Sequence, residues 1–355
     1  MVIVDIVLVG MGNVGRSFLR IAQSQAELLA RRHDLTLRFV GAVDSGGAVT
    51  NADGLDPVAL LIAKFEGRSV ATLPGGRAGV GAAELAGDLA YDILLESTPV
   101  NLQTGEPGLS AALTALGAGR HVVIANKGPL ALAYQQLAAL SDLTPGAADR
   151  PALRFSAAVG GALPTINLGR RDLACANVTK IEAVLNGTTQ GILRMMETGT
   201  EYADALAEMQ RRGIAETDPT LDVDGWDSAS KMVILSNAIL GRPATIADVS
   251  VTGIGALTAA DLAAARARGE SIVLLGLATP GDGVAPPVLR VAPAALPLTH
   301  PLARMSEQEM GIVYHTDISG ILTATSYEGD ATPTAAAMLR DVIDIVGPAT
   351  PPETA

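Results

Sequence analysis

One cysteine, four lysines and very few aromatic side chains mark this chain of 355 residues. The lone Cys175, set between two alanines, excludes an intrachain disulfide and a multi-cysteine metal cluster. It also lacks the activating surroundings that a nucleophilic thiol needs. Aromatics make up 3% of the residues, so the core must be aliphatic. No apolar run reaches the length of about 20 residues that spans a bilayer. Met1 to Val9 has no basic leader segment and runs into a glycine motif, so it reads as a first strand and not as a signal peptide. Positive charge is also in short supply. A net charge of −12 disfavours nucleic acid and anionic membranes as partners. The four histidines, at 33, 121, 300 and 315, show no ligand spacing, and no metal site is expected. His121 falls within a strand and reads as structural. These exclusions leave a soluble cytoplasmic protein acting on small molecules.

Hydrophobic residues are 48% of the chain and the mean hydropathy is +0.33, enough for a large core. The length suggests two domains of roughly 150 residues each. Residues 3–9, 35–43, 91–96 and 121–125 read as strands, with helices over 13–31, 57–66, 106–118 and from 128 to 140. Alternating strands and helices predict an α/β, Rossmann-type doubly wound parallel sheet over 1–150. The turn-rich run 144–151 marks the boundary. Extended segments near 153–158, 178–185, 272–278 and 312–316 then mix with helices near 161–171, 190–198, 202–212, 227–240 and 258–268. They predict a second, α+β domain over 151–324, for substrate binding and dimerisation. A last helix, within 325–355, is expected to return to the first domain.

Gly10-Met11-Gly12-Asn13-Val14-Gly15 follows the first apolar strand and opens a helix. In that context the three glycines allow a tight turn, approach of a pyrophosphate, and close helix–strand packing. A dinucleotide is the expected ligand. Asp44 ends the second strand, where an acid would bond a ribose 2′-hydroxyl; the bland alternative is a helix cap. No Arg or Lys follows it at 45–48, so NAD is favoured over NADP. Ser97-Thr98-Pro99 and Asn126-Lys127-Gly128 lie beyond strand C-ends, the edge at which open α/β sheets bind ligands. Lysine is kept at only 64, 127, 180 and 231 in an arginine-rich chain. Arg cannot readily release a proton, so Lys127 and Lys231, both in motif-like surroundings, are the candidates for proton transfer.

The segment 213–231 holds Glu216, Asp218, Asp222, Asp224, Asp227 and Lys231 around two turn signals. Asp227 and Lys231 stand four apart on one helical face, which alone would be an ordinary salt bridge worth about 0.3–0.5 kcal/mol. The acidic loop in front should bring Glu216 and Asp222 to the same face. A calcium loop fails, because Lys231 occupies its twelfth position in place of Glu. Asn186-Gly187-Thr188-Thr189 is either a helix N-cap or a donor set for a substrate carboxylate.

These motifs, in this order, resemble homoserine dehydrogenase. The resemblance runs through Gly10–Gly15, Ser97–Pro99, Ala125–Leu130, Gly160–Pro164, Asn186–Thr188, Gly213–Pro219, Asp222–Lys231 and Gly329–Thr334. It implies NAD(P)-dependent interconversion of L-homoserine and L-aspartate 4-semialdehyde by a short form without an ACT domain, usually a homodimer. It implies Lys231 as proton donor with Lys127 beside it. Gly187, Thr188, Glu216, Asp222 and Asp227 would bind substrate. Gly10, Gly12, Asn13, Val14, Gly15, Asp44, Ser97, Thr98, Lys127, Gly213, Glu216 and Gly329 would bind the cofactor. Ser156 stands where many relatives have a cation-binding Glu, which argues against a sodium or potassium site. Asp330-Ala331-Thr332 is poorer in glycine than the usual closing loop. A related amino alcohol or 4-oxo acid as substrate, or a silent dinucleotide sensor, remains open on the same motifs.

Overall fold

A computed structural model describes residues 1–143, 149–282 and 285–347. The chain forms two compact units.

The first unit contains Met1–Gly161 and the segment from Asp330 onward. Its elements are β1 (Val2–Val9), α1 (Asn13–Ser24), α2 (Ala26–His33), β2 (Leu35–Asp44), β3 (Gly47–Thr50), α3 (Pro57–Phe65), β4 (Gly76–Ala78), α4 (Ala82–Asp88), β5 (Ile93–Glu96), α5 (Gly108–Gly117), β6 (His121–Ile124), α6 (Lys127–Leu140) and β7 (Leu153–Arg154). The sheet order is β4-β3-β2-β1-β5-β6-β7. The run from β2 to β7 is parallel. Strand order reverses between β1 and β5, so a crevice for ligands opens at the C-terminal ends of those two strands. The fold class is the expected one, with an antiparallel addition: β3 and β4 pair beyond β2. The Gly/Ser-rich stretch after Asp44, which reads as a plain loop, is a hairpin with Ser45 and Gly46 at its tip.

Burial explains the parallel strands. Ile6, Val7, Leu8 and Val9 of β1 are fully enclosed, with helices above and below the sheet. Phe18 of α1 meets Phe39 of β2 edge to face, with centroids 6.3 Å apart. Truncating a side chain as buried as Phe18 costs about 3–5 kcal/mol in comparable cores.

The first unit runs to Gly161, past the turn-rich segment 144–151, of which 144–148 lie outside the described residues. Two contacts hold the later segment there. Leu153 and Arg154 pair in parallel with β6, so the extended stretch near 153–158 joins the first sheet and not the second unit. The backbone N–H of Ser156 donates to the buried carboxyl of Asp341 at 2.8 Å. Asp341 lies on the last helix, whose residues Ala335, Met338 and Val342 enter the first unit's core.

The second unit, Ala162–Gly329, is α+β. It contains α7 (Thr165–Asn167), β8 (Val178–Val184), α8 (Gly187–Glu197), α9 (Tyr202–Arg211), α10 (Thr220–Val223), α11 (Trp226–Leu235), β9 (Val249–Val251), α12 (Ala259–Ala267), β10 (Glu270–Thr279), β11 (Val288–Pro297), β12 (Glu309–Thr316) and β13 (Ile321–Tyr327). Its mostly antiparallel sheet has the order β13-β12-β8-β10-β11-β9. Because β13 belongs to this sheet, the return to the first unit begins at Asp330 and not at 325. It continues as α13 (Thr332–Val346).

Candidate active site

Two constellations match the motifs, one in each unit. In the first unit the glycine turn leads from β1 into α1. Gly10 has φ +96, and a Cβ there would lie 2.6 Å from the Ser97 carbonyl carbon. A Cβ on Gly15 would lie 2.2 Å from the Gly10 oxygen. Both positions therefore exclude a side chain. The Ser97 hydroxyl donates to the Gly10 carbonyl at 3.0 Å and ties the turn to β5. Gly12 is different: a Cβ there would meet nothing within 4 Å. It faces open space at the uncapped N-terminus of α1, an arrangement that suits a pyrophosphate. Asn13 accepts a hydrogen bond from Arg16 at 2.7 Å, and Val14 packs on the core. A cavity of about 580 Å³ runs from Gly10 and Gly12 past Thr98 and Pro99 to Asp44 and Lys64. The cradle therefore fits a dinucleotide.

Asp44 has partners of its own within the first unit. Its carboxylate is already fully used. One oxygen accepts from Gly46 N at 3.0 Å and Ser69 Oγ at 2.6 Å. The other accepts from Lys64 Nζ at 2.6 Å and Val70 N at 3.1 Å. Burial opposes its charge, but Lys64 and Ser69 lead the hydrogen bonds that hold its pKa below the ordinary value. A base does stand beside Asp44: α3 supplies Lys64 from twenty residues downstream. The bonds to Ser69 and Val70 also make Asp44 more than a simple cap.

Glu96, the last residue of β5, escaped the sequence reading. Its carboxyl is fully buried. Oε1 accepts from Thr98 N at 2.8 Å and from the Thr98 hydroxyl. Oε2 is buried without a hydrogen-bond partner. Burial pushes the pKa up to about 7, against the pull of Thr98 and Asn126. Asn126 in turn donates to Thr98 Oγ1 at 3.1 Å and caps α6 by accepting from Gly128 N at 2.9 Å. Lys127 is the first residue of that helix. One buried acid thus underlies both loops at the strand ends. His121 is structural, its Nδ1 accepting from Ala152 N at 2.9 Å.

In the second unit Lys231 lies on α11 and is only 7% exposed. Its ammonium donates to Asp227 at 2.7 Å and to the Leu185 carbonyl. Those bonds leave one of its three donors for another acceptor. Asn186 holds the acids together. Its amide nitrogen donates to Asp222 at 2.6 Å and Asp227 at 2.9 Å, and its oxygen accepts from Thr189 N at 2.8 Å. It is therefore an N-cap and a bridge at once. Thr188 of α8 is buried beside this bridge. Burial first, and then repulsion from Asp227, raise the Asp222 pKa. Gly187 opens α8 with no atom near its absent Cβ.

Glu216 does not join this cluster. Its carboxylate is exposed and has no partner among the described residues; only its backbone carbonyl is engaged, by Gln210 at 3.1 Å. The preceding Gly213 follows α9 with φ +73; Ala215 beyond it is buried, while Glu216 is exposed. The third acid near Lys231 is Glu328, whose pKa burial raises and the Lys231 charge lowers. It accepts from Ala162 N at 2.7 Å and Ser326 Oγ at 3.2 Å. Its one sequence signal is a position beside Gly329, which is exposed in the closing loop.

The chain can now be set against known proteins. A family model described as homoserine dehydrogenase matches residues 164–343. The chain is 34% identical over 342 residues to a homoserine dehydrogenase of Methanocaldococcus jannaschii, covering 96% of this chain and 98% of that one. It is 35% identical over 340 residues to an NAD(+)-dependent homoserine dehydrogenase of Pseudomonas canavaninivorans, covering 95% of each. Among solved structures it is similar to a hyperthermophilic archaeal homoserine dehydrogenase in complex with NADPH, with a TM-score of 0.80, 25% identity, and coverage of 97% of this chain and 98% of that one.

Proposed function

Since the chain belongs to the homoserine dehydrogenase family, we propose that it interconverts L-homoserine and L-aspartate 4-semialdehyde with a nicotinamide dinucleotide. The observation that carries this reading is the enclosed Lys231 with a donor to spare, set among Asp227, Asp222 and Glu328. NAD or NADP, when bound, supplies the hydride acceptor for the alcohol carbon.

The chain's own residues do the rest. In reduction the spare N–H of Lys231 reaches the substrate oxygen and passes it the proton; in oxidation the neutral amine takes the hydroxyl proton back. Asp227 and the Leu185 carbonyl fix its position. Asp222 and Asp227 suit the substrate's ammonium group, and Gly187 and Thr188 flank them. Gly10, Gly12, Asn13, Val14, Gly15, Ser97 and Thr98 hold the dinucleotide, with Lys127 toward its nicotinamide end. Gly213, Glu216 and Gly329 are assigned to the cofactor side by family resemblance alone.

NAD is the preferred cofactor in this reading. Asp44 keeps a negative charge at the ribose end, and Lys64 is occupied in balancing it. A sodium or potassium requirement is weak. Ser156 brings no charge, and the Asp341 carboxyl against it is already bonded by Ser156. The exposed apolar residues Ile321 and Tyr327 on β13 support a homodimer formed through the second unit. Among the described residues no helix is long and apolar enough to cross a membrane, which fits a cytoplasmic site of action.

Steady-state turnover of L-homoserine with each cofactor tests the reading. Lys127→Met should impair turnover with its larger effect on cofactor binding. No homoserine-dependent reduction of either cofactor would refute the assignment.

A further inference from the structure

A second cavity, of about 400 Å³, lies in the second unit and shares no lining residue with the acid–lysine cluster. Three arginines reach it from three elements: Arg194 from α8, Arg266 from α12, and Arg304 from the short turn Pro301–Arg304. Glu197 is the one acid on its wall, and Leu298 and Met305 line it with apolar surface. Three cations thus face one anion, in a chain whose net charge is −12.

The single acid is already used. One Glu197 oxygen pairs with Arg194 at 3.0 Å, and the other accepts from Ser271 at 2.5 Å. Arg194 is held by Ser271 and the Ile272 carbonyl, both at 2.6 Å, yet its Nε is buried without a partner. Burial works against its positive charge, Glu197 supports it, and the nearby Arg266 charge works against it again. Arg266 and Arg304 are exposed, and their guanidinium groups make no hydrogen bond or ion pair among the described residues. Glu197 balances one of the three cations only; like charges in excess on one wall are unfavourable, and an anion between them would relieve that. Guanidinium forks match planar acidic groups two bonds at a time. A volume of this size falls within the range of small-molecule sites.

We propose that this pocket is a binding site for a small organic dianion, two acidic groups on a short carbon chain. Arg266 and Arg304 grip the acidic groups, and Leu298 and Met305 pack on the carbon body. Arg194 supplies the fixed charge at the back. The site is independent of the dehydrogenase reaction in its residues and in its test.

Succinate is the probe, titrated into the full-length protein by calorimetry at constant ionic strength. Inorganic phosphate and sodium chloride are the comparators. Saturable succinate binding is expected, with at least tenfold weaker affinity in Arg266→Gln and again in Arg304→Gln. Homoserine turnover should be unchanged in both variants, because neither residue touches the acid–lysine cluster, and this also reports an intact fold. Succinate heats no larger than those of chloride would overturn the site. Binding that survives both substitutions would place succinate elsewhere and overturn it too. Phosphate binding without succinate binding would overturn the assignment of an organic dianion.

Discussion

Lys231 donates to Asp227 at 2.7 Å across one turn of α11, and the pair is enclosed, with side-chain exposures of 9% and 12%. An exposed pair at this spacing would contribute a few tenths of a kcal/mol. Enclosure changes the stakes. Removing either partner leaves the other a buried charge, and the cost then rises to about 3–5 kcal/mol unless other groups compensate.

Asn186 is the hinge of this cluster, and its replacement should affect stability and turnover together. Asn186→Ala removes the cap of α8 and the bridge between Asp222 and Asp227. The cap alone is worth about 1 kcal/mol. Denaturant unfolding should show at least that loss, and kcat should fall because Asp227 is no longer held from both sides. Unchanged kcat would separate the bridge from the reaction.

Cofactor choice should respond to both members of the Asp44–Lys64 pair, in opposite directions. Lys64→Met removes the cation at the ribose end and should raise the NAD/NADP ratio of kcat/KM. Asp44→Asn removes the repulsion of a 2′-phosphate and should lower it. In the unaltered protein NAD should be preferred. A preference for NADP of tenfold or more would contradict the role given to Asp44.

Glu96 should leave a signature in the pH dependence of stability. Its folded pKa of about 7 lies above its ordinary value of 4.5. The folded state therefore holds more protons than the unfolded state between those values, and stability falls as pH rises through that window. The full effect is about 3 kcal/mol. Glu96→Gln removes the titration and should flatten that part of the profile, with its gain largest near pH 8. Parallel profiles for the two proteins, measured by urea unfolding, would show that Glu96 is not the group responsible.

Exchange of potassium or sodium for a bulky organic cation should change activity little. Asp341, buried with a pKa pushed up to about 6, is committed to Ser156. Loss of most activity on exchange would mean that the segment 156–163 binds a cation despite Ser156.

What could be read from sequence follows from how each element is buried. β1, β2, β5 and β6 each hold an apolar run buried toward the C-terminal end, and that makes them stand out. β13 does not, because every second residue of Ile321–Tyr327 is exposed and the rest are only partly covered. β11 was hidden by Pro293 and Pro297. Prolines are tolerated there because β9 pairs only with Leu289–Val291, so the prolines meet no partner on that side. The same division holds at the site. Asp227 and Lys231 share a helical turn, so spacing alone brings them together. Lys64 meets Asp44, and Glu328 approaches Lys231, only through tertiary folding, which local pattern does not encode. Glu216 sits close in sequence, yet its side chain is exposed next to the buried Ala215. Proximity along the chain was there a poor guide to proximity in space.

The most direct test of the central claim is homoserine oxidation by the unaltered protein and by Lys231→Met, with dinucleotide affinity measured in parallel. The methionine keeps an unbranched side chain and removes the titratable amine. The account predicts homoserine-dependent cofactor reduction in the first protein. In the variant it predicts a fall in kcat of about 10²–10⁴-fold, the usual worth of a positioned acid–base group, with cofactor affinity nearly unchanged. A variant that turns over homoserine at a near-normal rate would contradict it, and would make the Asp227–Lys231 pair a structural salt bridge only.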